Sequence, residues 1–186
     1  MTALHALWLP ILLSAAVVFV VSSLIHMASP WHKSDYPAMP NEERVMDVLR
    51  PFAIPPGDYL IPRVTSRAEL RSPEFLERMR QGPVMLVTVM PNGPMSIASS
   101  LGGWFLYLLI VGLFAAYVTG LSIPPGADFW RVFRSVAVVA FVGYTVALWQ
   151  MTIWYRRGWI LTLKATIDGL LYALLTAGVL AWLWPP

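Results

Sequence analysis

At 186 residues, with 58% hydrophobic and 12% charged side chains, the chain has about half the charged share of a soluble domain. It contains no cysteine, which excludes disulfides, thiolate metal sites and cysteine nucleophiles. The formal charge of +3 is small and sits beside apolar runs, so it is no nucleic-acid footprint.

The first apolar run extends from Ala3 to Ile25, with Pro10 as its one marked interruption near the start. No Lys or Arg precedes it and no small-x-small cleavage site follows, so the expectation is an uncleaved anchor and not a secretory signal. A polar segment, residues 28–95, comes next. Its eight basic and eight acidic side chains balance, which argues against a polybasic lipid-binding tail. Asn41 reads as the N-cap of a helix from Glu42 to Arg50, ended by Pro51. Pro55-Pro56-Gly57-Asp58 reads as a turn, and Tyr59-Leu60-Ile61 as a short strand. Ser72-Pro73-Glu74 starts a second helix, with Ser at the N-cap, Pro at the first position and Gly82 after the end. Residues from Pro83 to Met90 have strand character. The expectation is a small α+β subdomain that packs on the membrane surface or against the Arg156-Arg157 turn.

Three further apolar runs follow: Ser96 to Leu121, Phe129 to Tyr155, and Trp159 to Trp184. At about 1.5 Å per residue, each is long enough for a hydrocarbon core of about 30 Å. Trp8, Trp104, Trp130, Trp154, Trp159, Trp182 and Trp184 mark run edges, where indole rings favour the headgroup level. The links between these runs are short, so helices two to four should form an antiparallel up-down-up bundle. The predicted architecture is a membrane all-α fold. It has a first transmembrane helix (1–27), a membrane-docked α+β subdomain (28–95) and a three-helix bundle (96–186).

Lys33, Arg44, Arg78, Arg80, Arg156, Arg157 and Lys164 lie on one side of that topology, while the termini carry no Lys or Arg and only Arg131 and Arg134 sit on their side, just inside helix three. The positive-inside rule then puts residues 28–95 and the Arg156-Arg157 turn in the cytoplasm and both termini on the far side.

Two places carry candidate chemistry. His26, His32 and Asp35 lie close in sequence at the end of the first run, and imidazole with carboxylate suits a divalent transition metal. The alternative is an interfacial anchoring cluster that includes Trp31, Lys33 and Tyr36. In the fourth run, Lys164, Asp168, Tyr172 and Thr176 recur at four-residue spacing, beside a small-residue stripe of Ala165, Gly169, Ala173 and Ala177. Such a face is expected to be buried in protein, with Lys164 compensating Asp168 one turn away. An ionisable residue at that depth is a functional candidate. Seven of the nine methionines fall between positions 27 and 95. Thioethers are soft ligands for Cu(I), but the spacing of Met27, Met39, Met46, Met79, Met85, Met90 and Met95 reads mainly as apolar packing. Nothing in the spans reads as a broken-helix binding site. The common phosphate-loop, dinucleotide, zinc-protease and nucleophile-elbow motifs are absent, and no internal repeat is visible.

Trp31-His32-Lys33-Ser34-Asp35-Tyr36, Pro56-Gly57-Asp58-Tyr59, Lys164-Ala165-Thr166-Ile167-Asp168-Gly169 and the ending Trp182-Leu183-Trp184-Pro185 together carry a resemblance. On these segments the chain resembles a family of small four-span bacterial membrane proteins without assigned activity. The resemblance implies a bacterial inner membrane and carries over no ligand or catalytic residue.

The reading that follows is a non-enzymatic membrane protein, an accessory or scaffold subunit, with no predicted cofactor. Its expected contacts are the lipid bilayer and a protein partner or second copy through helix four. The alternatives are metal handling through His26, His32 and Asp35, and ion translocation by an oligomer through Asp168.

Overall fold

The computed structural model describes residues 2–186. Four apolar stretches form helices long and apolar enough to cross a membrane: Leu4–Ala28, Ile97–Ser122, Phe129–Tyr155 and Trp159–Trp182. The chain divides into two compact units. One combines the chain up to Tyr36 with Ser96–Pro186, and the other is Pro37–Met95. The break therefore falls after Tyr36 and not after residue 27, and the His32–Asp35 stretch belongs with the helices.

In the helical unit, α1 (Trp8–Ser23) packs against both α4 (Ile97–Ser122) and α7 (Trp159–Trp182). The third stretch begins with α5 (Phe129–Thr145), which also touches α4 and α7, so the four stretches close into a ring. The α5–α7 contact is the most extensive, and α7 is the most buried of the four. The small-residue stripe explains this. Gly169, Ala173 and Ala177 of α7 are buried. A Cβ built on Gly169 would lie 2.3 Å from Thr145 Cγ2, so the two backbones approach where only glycine fits. Leu7, Val18, Leu108, Val132, Val136 and Leu180 fill the interior. Val138, Val142, Phe114, Leu170 and Leu174 face outward, an apolar girdle unlike the surface of a soluble domain. Trp8, Trp130, Trp154, Trp159 and Trp182 are exposed, whereas Trp104 and Trp184 turn inward.

Two of the four stretches are not regular helices. The first opens with a tight 3-10 turn (Leu4–Leu7) and closes with a π turn (Leu24–Ala28), where the Ser29 amide bonds Leu24 O at 3.1 Å, five residues back. The third is interrupted after α5: Val146–Leu148 tighten into a 3-10 turn before α6 (Trp149–Tyr155). Thr145 marks the break. Its hydroxyl donates to Phe141 O at 2.7 Å, and such back-bonding one turn away bends helices.

One end of the ring is closed by the chain's extremities. The Thr2 amide donates to Gly120 O at 2.9 Å, Gly126 N to Pro185 O at 2.8 Å, and Trp184 Nε1 to Pro124 O at 3.0 Å. His5 belongs to this end and is exposed.

The smaller unit contains α2 (Glu42–Leu49), β1 (Gly57–Ile61), α3 (Pro73–Gln81) and β2 (Met85–Val89). The strands pair antiparallel, Tyr59 opposite Val87, with Thr88 Oγ1 donating to Asp58 at 2.6 Å across the ladder. Ser72 caps α3 as its sequence predicts, accepting from the Phe75 amide at 3.1 Å. Asn41 does not cap α2 through its side chain. It precedes the helix in the left-handed conformation, at φ 53°. The methionines correct the packing expectation: Met27, Met39, Met46, Met79, Met90 and Met95 are exposed.

A candidate metal centre at the end of the first and fourth spans

The site starts with local chain geometry. At the regular pitch of about 100° per residue, side chains six positions apart point roughly 120° away from each other. His26 and His32 do not keep that separation, because the chain between them is not α-helical. The π turn carries His26, and Ser29 then starts a 3-10 turn, Pro30–His32. Ser29 Oγ accepts from the Trp31 amide at 3.1 Å and proline takes the first position. The result brings the two imidazoles face to face, with centroids 4.1 Å apart and planes 21° from parallel.

The turn also puts Asp35 beside His32, with Nδ1 donating to Asp35 Oδ2 at 2.7 Å. Lys164 of α7 reaches this turn from the other side. Its ammonium donates to Asp35 Oδ1 at 2.7 Å, to Trp31 O at 2.7 Å and to Ser34 Oγ at 3.1 Å. It also lies 5.3 Å from the Trp31 ring centroid. These bonds hold the Asp35 carboxyl below the usual carboxylate range: the Lys164 hydrogen bond first, then the one from His32. Lys164 therefore does not pair with Asp168, and the expected partner one turn away is replaced by Asp35.

Asp168 is 6% exposed and turns to the first span. Its Oδ1 accepts from Trp31 Nε1 at 3.1 Å. Its Oδ2 lies 3.0 Å from His32 Nε2. That distance suits a hydrogen bond, but the nitrogen's N–H axis does not point at the oxygen, and Nε2 is buried without a hydrogen-bond partner. A hydrogen bond weakens steeply off axis, so this close contact is not one.

The sequence therefore named two sites where the fold builds one. His26, His32 and Asp168 each offer a donor atom within 4.8 Å of the others. Asp35, expected as the third ligand, stands behind His32 as its orienting carboxylate. Tyr172 continues the seam: its hydroxyl is 3.4 Å from His26 Nε2, at the outer edge of hydrogen bonding. Thr176, one turn on, contacts the Tyr144 hydroxyl at 3.3 Å and lies outside the cluster.

The cluster opens on a cleft of ≈ 810 Å³ whose wall is mainly apolar. Trp104, Tyr107 and Tyr144 form an aromatic side, linked edge-to-face or stacked at 5.4–6.0 Å. Trp104 is held by Ser22 at 2.8 Å, and Tyr107 by Gly143 O at 2.7 Å, beside the α5 break. Sequence reasoning passed over these aromatics, which read as edge markers or core. It also gives Arg157 no place in a site, only in the topology and in the turn expected to meet the polar segment. No family model, curated protein or solved structure matches the chain.

Proposed function

We propose that this chain is a multi-pass membrane protein that binds a divalent first-row transition ion through His26, His32 and Asp168. The observation that carries the reading is His32 Nε2. His32 Nδ1 donates to Asp35, and Nε2, buried, lies 3.0 Å from the Asp168 carboxylate without an aligned hydrogen bond to it. A cation that takes both atoms as ligands would satisfy them together, which the close but unaligned contact does not.

The donor set supports the same reading. Two imidazoles and a carboxylate are the common set for Zn²⁺ and non-haem Fe²⁺ and leave coordination positions open. Asp35 donates no ligand but fixes the tautomer of His32, the role a carboxylate plays behind a ligating histidine. Binding requires the stacked imidazoles to splay, since their in-plane lone pairs run side by side. This geometry favours metal binding over the scaffold reading, because a structural ion pair needs neither the second histidine nor the open cleft. We take the basic residues beside this end to orient it to the cytoplasm of a bacterial inner membrane, with the termini on the far side.

The test is metal content and affinity. Protein purified in mild detergent should bind stoichiometric Zn²⁺ or Co²⁺, and His32→Ala should abolish the binding. A folded wild-type protein that takes up neither ion would sink the proposal.

A further inference from the structure

The cleft beside the cluster has a charge pattern of its own. Its only carboxylates are Asp35 and Asp168, and Asp35 is matched by Lys164. Arg157 lines the same cleft, half-buried, and forms no ion pair among the described residues. It reaches this position because Arg156 turns the chain in the left-handed conformation, at φ 56°, as α6 ends. A divalent ion on His26, His32 and Asp168 leaves the centre positive, and Arg157 adds to that excess in a mainly apolar cavity. An anion in the cleft would offset that charge in its mainly apolar surroundings.

The rest of the wall says what the anion is attached to. Trp104, Tyr107 and Tyr144 offer apolar faces suited to a hydrocarbon chain. At Gly103, which also lines the cleft, a Cβ would meet nothing within 4 Å, so the helix leaves open space there. We infer that the cleft takes an anionic amphiphile. Its phosphate or carboxylate head lies between Arg157 and the metal, at an open coordination position, and its chain lies along the aromatic wall. This rests on the metal reading proposed above.

The experiment uses full-length protein in a neutral maltoside detergent, loaded with Co²⁺, whose d–d bands report coordination. Dodecyl phosphate and inorganic phosphate are titrated in parallel. Dodecyl phosphate should shift the bands at a concentration at least tenfold lower than inorganic phosphate. Arg157→Gln should raise that concentration tenfold or more with Co²⁺ still bound, while Arg131→Gln, exposed at the start of α5, should leave it unchanged. Gly103→Leu should remove the response to dodecyl phosphate and spare that to inorganic phosphate, which separates seating in the cleft from partition into the micelle. Equal response to both phosphates would overturn the amphiphile assignment. Co²⁺ bands that ignore both, or shift equally in Arg157→Gln, would overturn this inference alone. A wild-type protein with no Co²⁺ bands would overturn the metal reading and this inference with it.

Discussion

Asp35 uses one carboxylate oxygen on His32 and the other on Lys164. Neither is left for a metal, so its removal should act through the orientation of His32. Asp35→Asn keeps the size and loses the charge. Metal affinity should fall by roughly 10–100-fold, the usual cost of losing a carboxylate behind a ligating histidine. His26→Ala should cost more, because it removes a donor. Calorimetric titration of Zn²⁺ separates the two, and equal losses would put Asp35 among the ligands after all. At this scale the sequence showed the components but not their assembly. His26, His32 and Asp35 stand close together in the chain, so they were read as one set. Asp168 was picked out separately because an ionisable side chain inside an apolar helix is costly. No local pattern brings a residue of the last helix to the end of the first; that depends on how α1 and α7 pack.

Among the glycines, the tightest packing is at Gly169, where α7 meets the end of α5. A Cβ there would meet Thr145 Cγ2 at 2.3 Å and Tyr144 Cβ at 3.2 Å. Neither neighbour can withdraw easily, because Thr145 is bonded to Phe141 O and Tyr144 packs edge-to-face against Tyr172 at 5.9 Å. Gly169→Ala should therefore force the helices apart and lower stability by about 1–3 kcal/mol, the usual range for overpacking. Thermal unfolding in detergent should show the drop, while Gly178→Ala, whose Cβ would meet nothing within 4 Å, should show little. The small-residue stripe was legible as a packing face because helical periodicity is a local property of the sequence. The break at Thr145 was not legible. The run continues apolar through Val146-Ala147-Leu148, and Gly143 just before it is a residue type that membrane helices carry without breaking. The π turn at His26 likewise lies within an apolar run, ahead of Pro30.

For the molecule as a whole, the girdle of exposed apolar side chains and the division into two ends make one prediction. Water-facing backbone at the two ends should lie on opposite sides of a bilayer if the four stretches span it. The chain contains no cysteine, so single cysteines can be placed without background. Lys33 and Pro125 are both exposed. Lys33 adjoins the turn that carries His32, whereas Pro125 lies in the loop that meets the C-terminal residues. In sealed inside-out and right-side-out vesicles, a membrane-impermeant maleimide should label Lys33→Cys in one orientation and Pro125→Cys in the other. The positive-inside argument further expects Lys33→Cys to react in inside-out vesicles, because Lys33, Arg156, Arg157 and Lys164 gather at that end. Reversed labelling would keep the four spans and place the cleft with the proposed metal site on the opposite face of the membrane. Labelling of both positions from the same side would remove the four-span topology, and with it the reason for an apolar cleft beside charged ligands.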